Sequence, residues 1–240
     1  MSSLSIKSVV SIISIFIIFS FSIVNGFTAS VSASASASND IEFTNVCADA
    51  QLCKELAIDW WKWAYSFSND NNPLLDSKGI YCATGQSGST WFLGGYFDTP
   101  YQIVRDCTVP TDKTIFFPIL NSECSYLEYP SIKTEQGLRD CAKQAQDQVV
   151  DTVATLNGTE LPQLRIDTGI FNFTLPNDSF LFTGAKAGTY NTAGNGVFVG
   201  IKGLEQGDYV LKFSGTSLPL PNSQDINPFS QDITYNLHLR

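Results

Sequence analysis

Histidine occurs once in these 240 residues, at position 238. Histidine-rich zinc centres therefore lack parts, and a serine-histidine-acid triad or a cysteine-histidine pair would depend on that one imidazole. Cysteine pairs of the form C-x-x-C are also missing, so neither a metal nor another cofactor is expected. Gly85 and Gly88 stand three apart in Thr84–Ser89, but no lysine-bearing phosphate loop or dinucleotide fingerprint surrounds them. Charge is sparse, at 15% of residues, and one-sided: 14 Lys and Arg against 23 Asp and Glu, a formal net charge of −9. A surface of that sign repels phosphate backbones and anionic lipid, which argues against nucleic acid as a partner.

Long apolar runs are missing too, with one exception. Lys7 precedes Val9–Val24, a stretch of Val, Ile, Phe and Ser, and Val24-Asn25-Gly26 offers small or tolerated residues before a cut. Residues 1–26 read as a signal peptide. A retained anchor is the alternative, although the run falls short of the ~20 residues that span a bilayer. Once the leader is removed, no stable membrane insertion is expected, and the product is secreted. Residues 27–43 open on an Ala/Ser alternation that cannot bury enough surface to offset the entropy of ordering, and they read as a flexible arm.

Residues 44–240 read as a single domain, cystine-bearing over 44–158 and free of cysteine over 159–240. Its six cysteines are Cys47, Cys53, Cys82, Cys107, Cys124 and Cys141. An even number in an exported chain implies disulfides. The favoured pairing is Cys82 with Cys107 and Cys124 with Cys141, leaving Cys47 with Cys53. Apolar residues recur at three- and four-residue steps over Ala48–Phe67 and again over Glu135–Leu156, which predicts two helices. The Asp59-Trp60-Trp61-Lys62-Trp63 run cannot send all its indoles one way, so either other elements cover two sides of the first helix or Trp61 is exposed. Short apolar segments at Ile80–Ala83, Trp91–Phe97, Ile103–Val109 and Thr114–Leu120 alternate with Gly, Ser, Pro and Asp, and predict a cross-linked antiparallel sheet around Ile80–Cys124. Further strands are expected at 164–167, 170–175, 197–201, 209–214 and 233–239. The fold class is thus α+β and β-rich: antiparallel sheets in a sandwich-like arrangement with two packed helices.

The segments Trp91-Phe92-Leu93-x-Gly95 and Cys107-Thr108-Val109-Pro110-x-x-Lys113-x-Ile115-Phe116-Phe117-Pro118-Ile119-x-Asn121-x-Glu123-Cys124 resemble those of an uncharacterised group of exported microbial proteins. The resemblance extends from the tryptophan-rich helix to the C-terminal strands. It implies a shared fold and export, and no activity.

Two functional readings remain. The first is a non-catalytic module that binds a glycan or a cell-surface protein through Trp61, Trp91 or Tyr96, whose flat rings suit sugar faces. The second is a glycosidase-like hydrolase built on two carboxyl groups, an acid–base chemistry that needs no histidine. Asp59, Asp76, Asp98, Glu123 and Glu128 are the acids of the aromatic half; Glu123 leads, and Asp76 also fits the first position of an Asp-x-x-Gly turn. A cleft with paired acids favours the enzyme, and an exposed aromatic row favours the binder. His238 reads as a packing residue within a strand. Asn157, Asn172 and Asn177 each open an N-x-[ST] glycosylation sequon.

Overall fold

A computed structural model describes residues 41–97, 102–179, 186–221 and 226–240. The expected signal peptide, and the arm as far as Asp40, lie outside them. Ile41 and Phe43, assigned above to the arm, instead pack against the core, since they carry the apolar area that Ala and Ser lack.

The elements run β1 (Thr44–Asn45), α1 (Ala50–Tyr65), β2 (Thr90–Phe92), β3 (Gln102–Val109), β4 (Thr114–Ser125), α2 (Glu135–Gln146), β5 (Val149–Leu156), β6 (Thr159–Glu160), β7 (Leu164–Leu175), β8 (Gly188–Lys202), β9 (Gly207–Ser217) and β10 (Phe229–Leu239). One sheet has the order β1-β8-β4-β2 with β7 also on β8; the other has the order β3-β10-β9-β5-β6. Ile115, Phe117, Val199 and Ile201 of the first sheet meet Ile103, Leu211, Phe213, Ile233 and Leu237 of the second in a shared core. This is the β-rich sandwich with two helices that the sequence predicts. Most strand pairs are antiparallel, but β2 with β4 and β3 with β10 are parallel.

The expected single sheet over Ile80–Cys124 is not formed. Residues 80–83 are turn rather than strand, and β3, which lies between β2 and β4 in sequence, belongs to the opposite sheet. The burial patterns give the reason. β3 alternates buried and exposed throughout, as one-sided packing requires, whereas residues 115–120 of β4 are buried without interruption, between the second sheet and α1. Beyond Phe116, β4 has β8 as its only strand neighbour among the described residues.

Asp49 caps α1, its Oδ1 accepting from the Gln51 and Leu52 amides at 3.0 and 3.1 Å. The helix lies on the outer face of the first sheet, against Phe116, Phe171, Phe173 and Phe198. Two sides of it are covered, as the three indoles require: Trp60 Nε1 donates to the Leu93 carbonyl at 2.8 Å and Trp63 Nε1 to that of Thr84 at 3.1 Å. Trp61 turns onto the sheet instead. There Gly194 makes room, because a Cβ at that position would stand 2.7 Å from Trp61 Nε1. Gly194→Ala is therefore expected to displace the indole and destabilise the fold by about 1 to 3 kcal/mol, the usual range for overpacking, with a matching change in tryptophan fluorescence.

Helix α2 ends at Gln146, ten residues before its predicted end, and Val149–Leu156 forms β5. The helical spacing of Val149, Val153 and Leu156 is outweighed by four β-branched residues in the first five, which favour an extended backbone, and by the free edge of β9. Cys47–Cys53, Cys82–Cys107 and Cys124–Cys141 are the disulfides, the connectivity favoured from the sequence. The second ties the 73–89 segment to β3, and the third ties α2 to β4. Converting Cys82 and Cys107 together to serine is expected to cost about 3 to 4 kcal/mol by the chain-entropy model, measurable as a lower denaturation midpoint.

Candidate functional site

Strand β4 carries a one-residue irregularity between Pro118 and Leu120. After it, Asn121 and Glu123 share the face on which α1 lies, opposite Gly196 and Gly194 of β8. Trp61 and Tyr65, one helical turn apart with ring centroids 5.2 Å from each other, cover Glu123 from above. Glu128 arrives from the exposed turn after β4. Together with Phe97 and Ser122 these residues line a cleft of about 200 Å³.

Glu123 lies inside β4, which runs five residues beyond the predicted Thr114–Leu120 segment. Its carboxyl is pushed well above the usual carboxylate range, first by burial and then by hydrogen bonding and like-charge repulsion from Glu128, while Thr192 and Tyr65 pull the other way. The Tyr65 hydroxyl is likewise pushed up, by burial and then by the two glutamates. Thr192 Oγ1 lies 2.9 Å from the Cys124 carbonyl and also against Glu123 Oε2, where its hydroxyl donates to the carboxyl.

Three buried polar atoms of the cleft residues have no hydrogen-bond partner: Glu123 Oε1, Trp61 Nε1 and Asn121 Nδ2. An acid oxygen and two N–H donors left unpaired beside one cleft are a costly arrangement. A hydroxyl group, which both donates and accepts, can relieve it.

The other sequence-derived residues lie elsewhere. Trp61, Trp91 and Tyr96 are only 2%, 7% and 8% exposed, so the flat aromatic platform expected of a surface sugar binder is not formed. Trp91 and Tyr96 belong to the core between the sheets. Asp76 is a turn carboxylate, accepting from the Lys78 and Gly79 amides at 2.9 Å each and from Tyr81 at 2.6 Å. Asp59 is exposed and pairs with Lys62, and Asp98 is outside the described residues. Lys113 donates to the Gly88 carbonyl at 2.8 Å. His238 is not packed alone, as expected, but sits part-exposed between Asp208, at 2.9 Å, and Asp106, at 3.7 Å. Asn157, Asn172 and Asn177 are all exposed. No metal-ligand cluster occurs among the described residues, nor does a helix long and apolar enough to cross a membrane.

Sequence reasoning passed over Arg105. It is 1% exposed and has no carboxylate partner among the described residues. Its guanidinium donates to the carbonyls of Asp76, Gly94 and Gly95 at 2.7, 2.8 and 3.1 Å and to the Tyr235 hydroxyl at 2.5 Å. The rings of Tyr235 and Tyr96 flank it, their centroids 5.3 and 5.8 Å away. This clamp fixes the Gly94-Gly95 segment and with it Phe97 at the cleft wall.

Fold and site together define a disulfide-bonded β-sandwich with a carboxyl pair in an aromatic-walled cleft. Neither protein-family models nor curated proteins match the sequence.

Proposed function

We propose that this chain is an exported, glycosylated hydrolase that uses Glu123 as general acid and Glu128 as general base on a glycan-class substrate. The reading rests on the contrast between the two carboxyls. Glu123 is half-buried, with Oε1 shut off from solvent, and held toward its protonated form, while Glu128 stands at the exposed rim of the same cleft. Carboxyl pairs placed in unlike environments are how acid and base roles are divided at one pH. As the glycosidic bond breaks, Glu123 gives its proton to the leaving oxygen, and Glu128 takes one from the water that replaces it. Acetal hydrolysis uses carboxyls roughly 5 to 10 Å apart, so Glu128 has to swing outward on its surface turn to admit substrate. Export is supported by the leader and by three disulfides, which persist in oxidising compartments.

A second reading, binding without turnover, is favoured by the unpaired Trp61 Nε1 and Asn121 Nδ2, which suit a sugar hydroxyl whether or not a bond is cut. A panel of chromogenic and oligosaccharide glycosides incubated with the purified native protein separates the two. Release of reducing ends supports hydrolysis. Retention on a glycan array with no product from any member replaces it with binding.

A further inference from the structure

The acid cleft does not end at Phe97. Phe97, Asn121 and Ser122 also line an adjoining cavity of about 280 Å³, whose other walls include Tyr96, Leu120, Val149 and Phe229. Among the described residues, no charged side chain lines this second cavity. It opens where β4 has lost its β2 neighbour. Phe97, 45% exposed, stacks on Phe229 with centroids 6.2 Å apart and planes 29° from parallel, leaving ring surface at the junction of the two spaces.

The walls of the cavity are held in place. Arg105 grips the Gly94 and Gly95 carbonyls. From the other sheet, Gln231 accepts from the Tyr96 amide at 3.3 Å and donates to the Ile119 carbonyl. A wall pinned from both sides is a preformed pocket, and an apolar group entering it loses contact with water without first having to order the protein.

We infer that the ligand is amphipathic: a sugar at Glu123 and Glu128, joined to an apolar alkyl or aryl group that occupies the Phe97–Phe229 cavity. This deepens the acid-pair reading and rests on it. The polar and apolar spaces share three residues, so one molecule reaches both. The walls differ in chemistry: among the described residues the carboxyls lie only at the first space, while Leu120, Val149 and Phe229 line only the second, beside the Ser217 hydroxyl and the Gln231 amide.

The test uses Glu123→Gln, which keeps the shape of the site, and calorimetric titration with methyl and octyl β-glycosides of glucose, galactose and N-acetylglucosamine below micelle-forming concentrations. For the sugar that binds, the octyl glycoside is expected to bind at least roughly tenfold more tightly than the methyl one, since burying a few methylenes suffices for that factor. Adding Ser217→Trp, at a half-buried position on the cavity wall, is expected to bring the ratio close to one with methyl affinity unchanged. Adding Ser217→Ala instead is expected to preserve the ratio. Val149→Arg tests the same cavity from another wall if tryptophan is not accommodated. Equal affinities for octyl and methyl glycosides overturn the inference, as does a ratio that Ser217→Trp leaves intact. Failure of the acid-pair reading looks different: wild type and Glu123→Gln then turn over substrate equally, whatever the octyl-to-methyl ratio. Absence of binding by either glycoside of every sugar overturns both.

Discussion

Glu123→Gln is expected to lower turnover by about 10³-fold, within the 10² to 10⁴ range of general acid catalysis, while leaving the protein folded. Glutamine keeps the size of the side chain and removes its transferable proton. Glu128→Gln should also lose activity, but through the water-activating step, whereas the alkaline limb of the pH profile belongs to Glu123. A Glu123→Gln enzyme with unchanged turnover would remove the acid from the mechanism. Stability supplies a second, independent measurement. The folded-state pKa of Glu123 is raised above its unfolded value, so the native state binds more protons than the unfolded chain between the two values. Its contribution to stability is then fully present below about pH 4, near the unfolded pKa, and is lost as pH rises through the folded one. Glu123→Gln carries no such charge. The variant should match the wild type in acid and gain on it progressively toward alkaline pH, which denaturant titrations at pH 4 and pH 8 would reveal; a difference that does not change with pH would mean that Glu123 ionises as freely folded as unfolded.

Arg105→Leu is expected to be the most damaging single substitution to the fold. It leaves the Asp76 and Gly95 carbonyls without the guanidinium that satisfies them and strips one of two donors from Gly94, whose carbonyl also accepts from Tyr235 at 2.8 Å. Buried acceptors deprived of a partner cost about 1 to 3 kcal/mol each, and bonds from a charged donor are the stronger kind, so a total near 4 kcal/mol is expected. For a domain of this size that corresponds to a fall in Tm on the order of 10 °C. Arg105→Lys keeps the charge but not the fork. One ammonium cannot reach three carbonyls and a hydroxyl spread around a planar group, so lysine should recover only a minor part of the loss. Full recovery by lysine would show that charge, rather than geometry, holds the segment.

Much of this architecture could be read directly from residue spacing. The sandwich follows from alternation and the start of α2 from Thr134 as its cap, and the favoured cysteine pairing is the one formed, whereas α1 begins at Ala50 behind Asp49, two residues after its expected start. Arg105 was legible too: in Ile103-Val104-Arg105-Asp106-Cys107-Thr108-Val109 it alternates in phase with Ile103, Cys107 and Val109, all buried, which places it among core residues. The same rule puts Asn121 and Glu123 on one face, and Tyr65 lies one helical turn from Trp61. What spacing could not supply was which faces meet. Trp61 looked free for a ligand because nothing in the sequence says that Gly194, more than a hundred residues later, leaves a hollow for its indole. The choice between helix and strand at Val149–Leu156 had the same difficulty, since the deciding partner was an edge formed by β9.

Strand β10 occupies an interior place in its sheet, with β3 on one side and β9 on the other. Gln102 and Asp232, side by side in that ladder, are 130 residues apart along the chain. A ribosome making this protein has therefore finished β3 long before anything can pair with it, and the sheet cannot grow in the order of synthesis. Until β10 emerges, β3 and β9 remain unjoined rims, so this sheet closes only after residues 229–239 have been made.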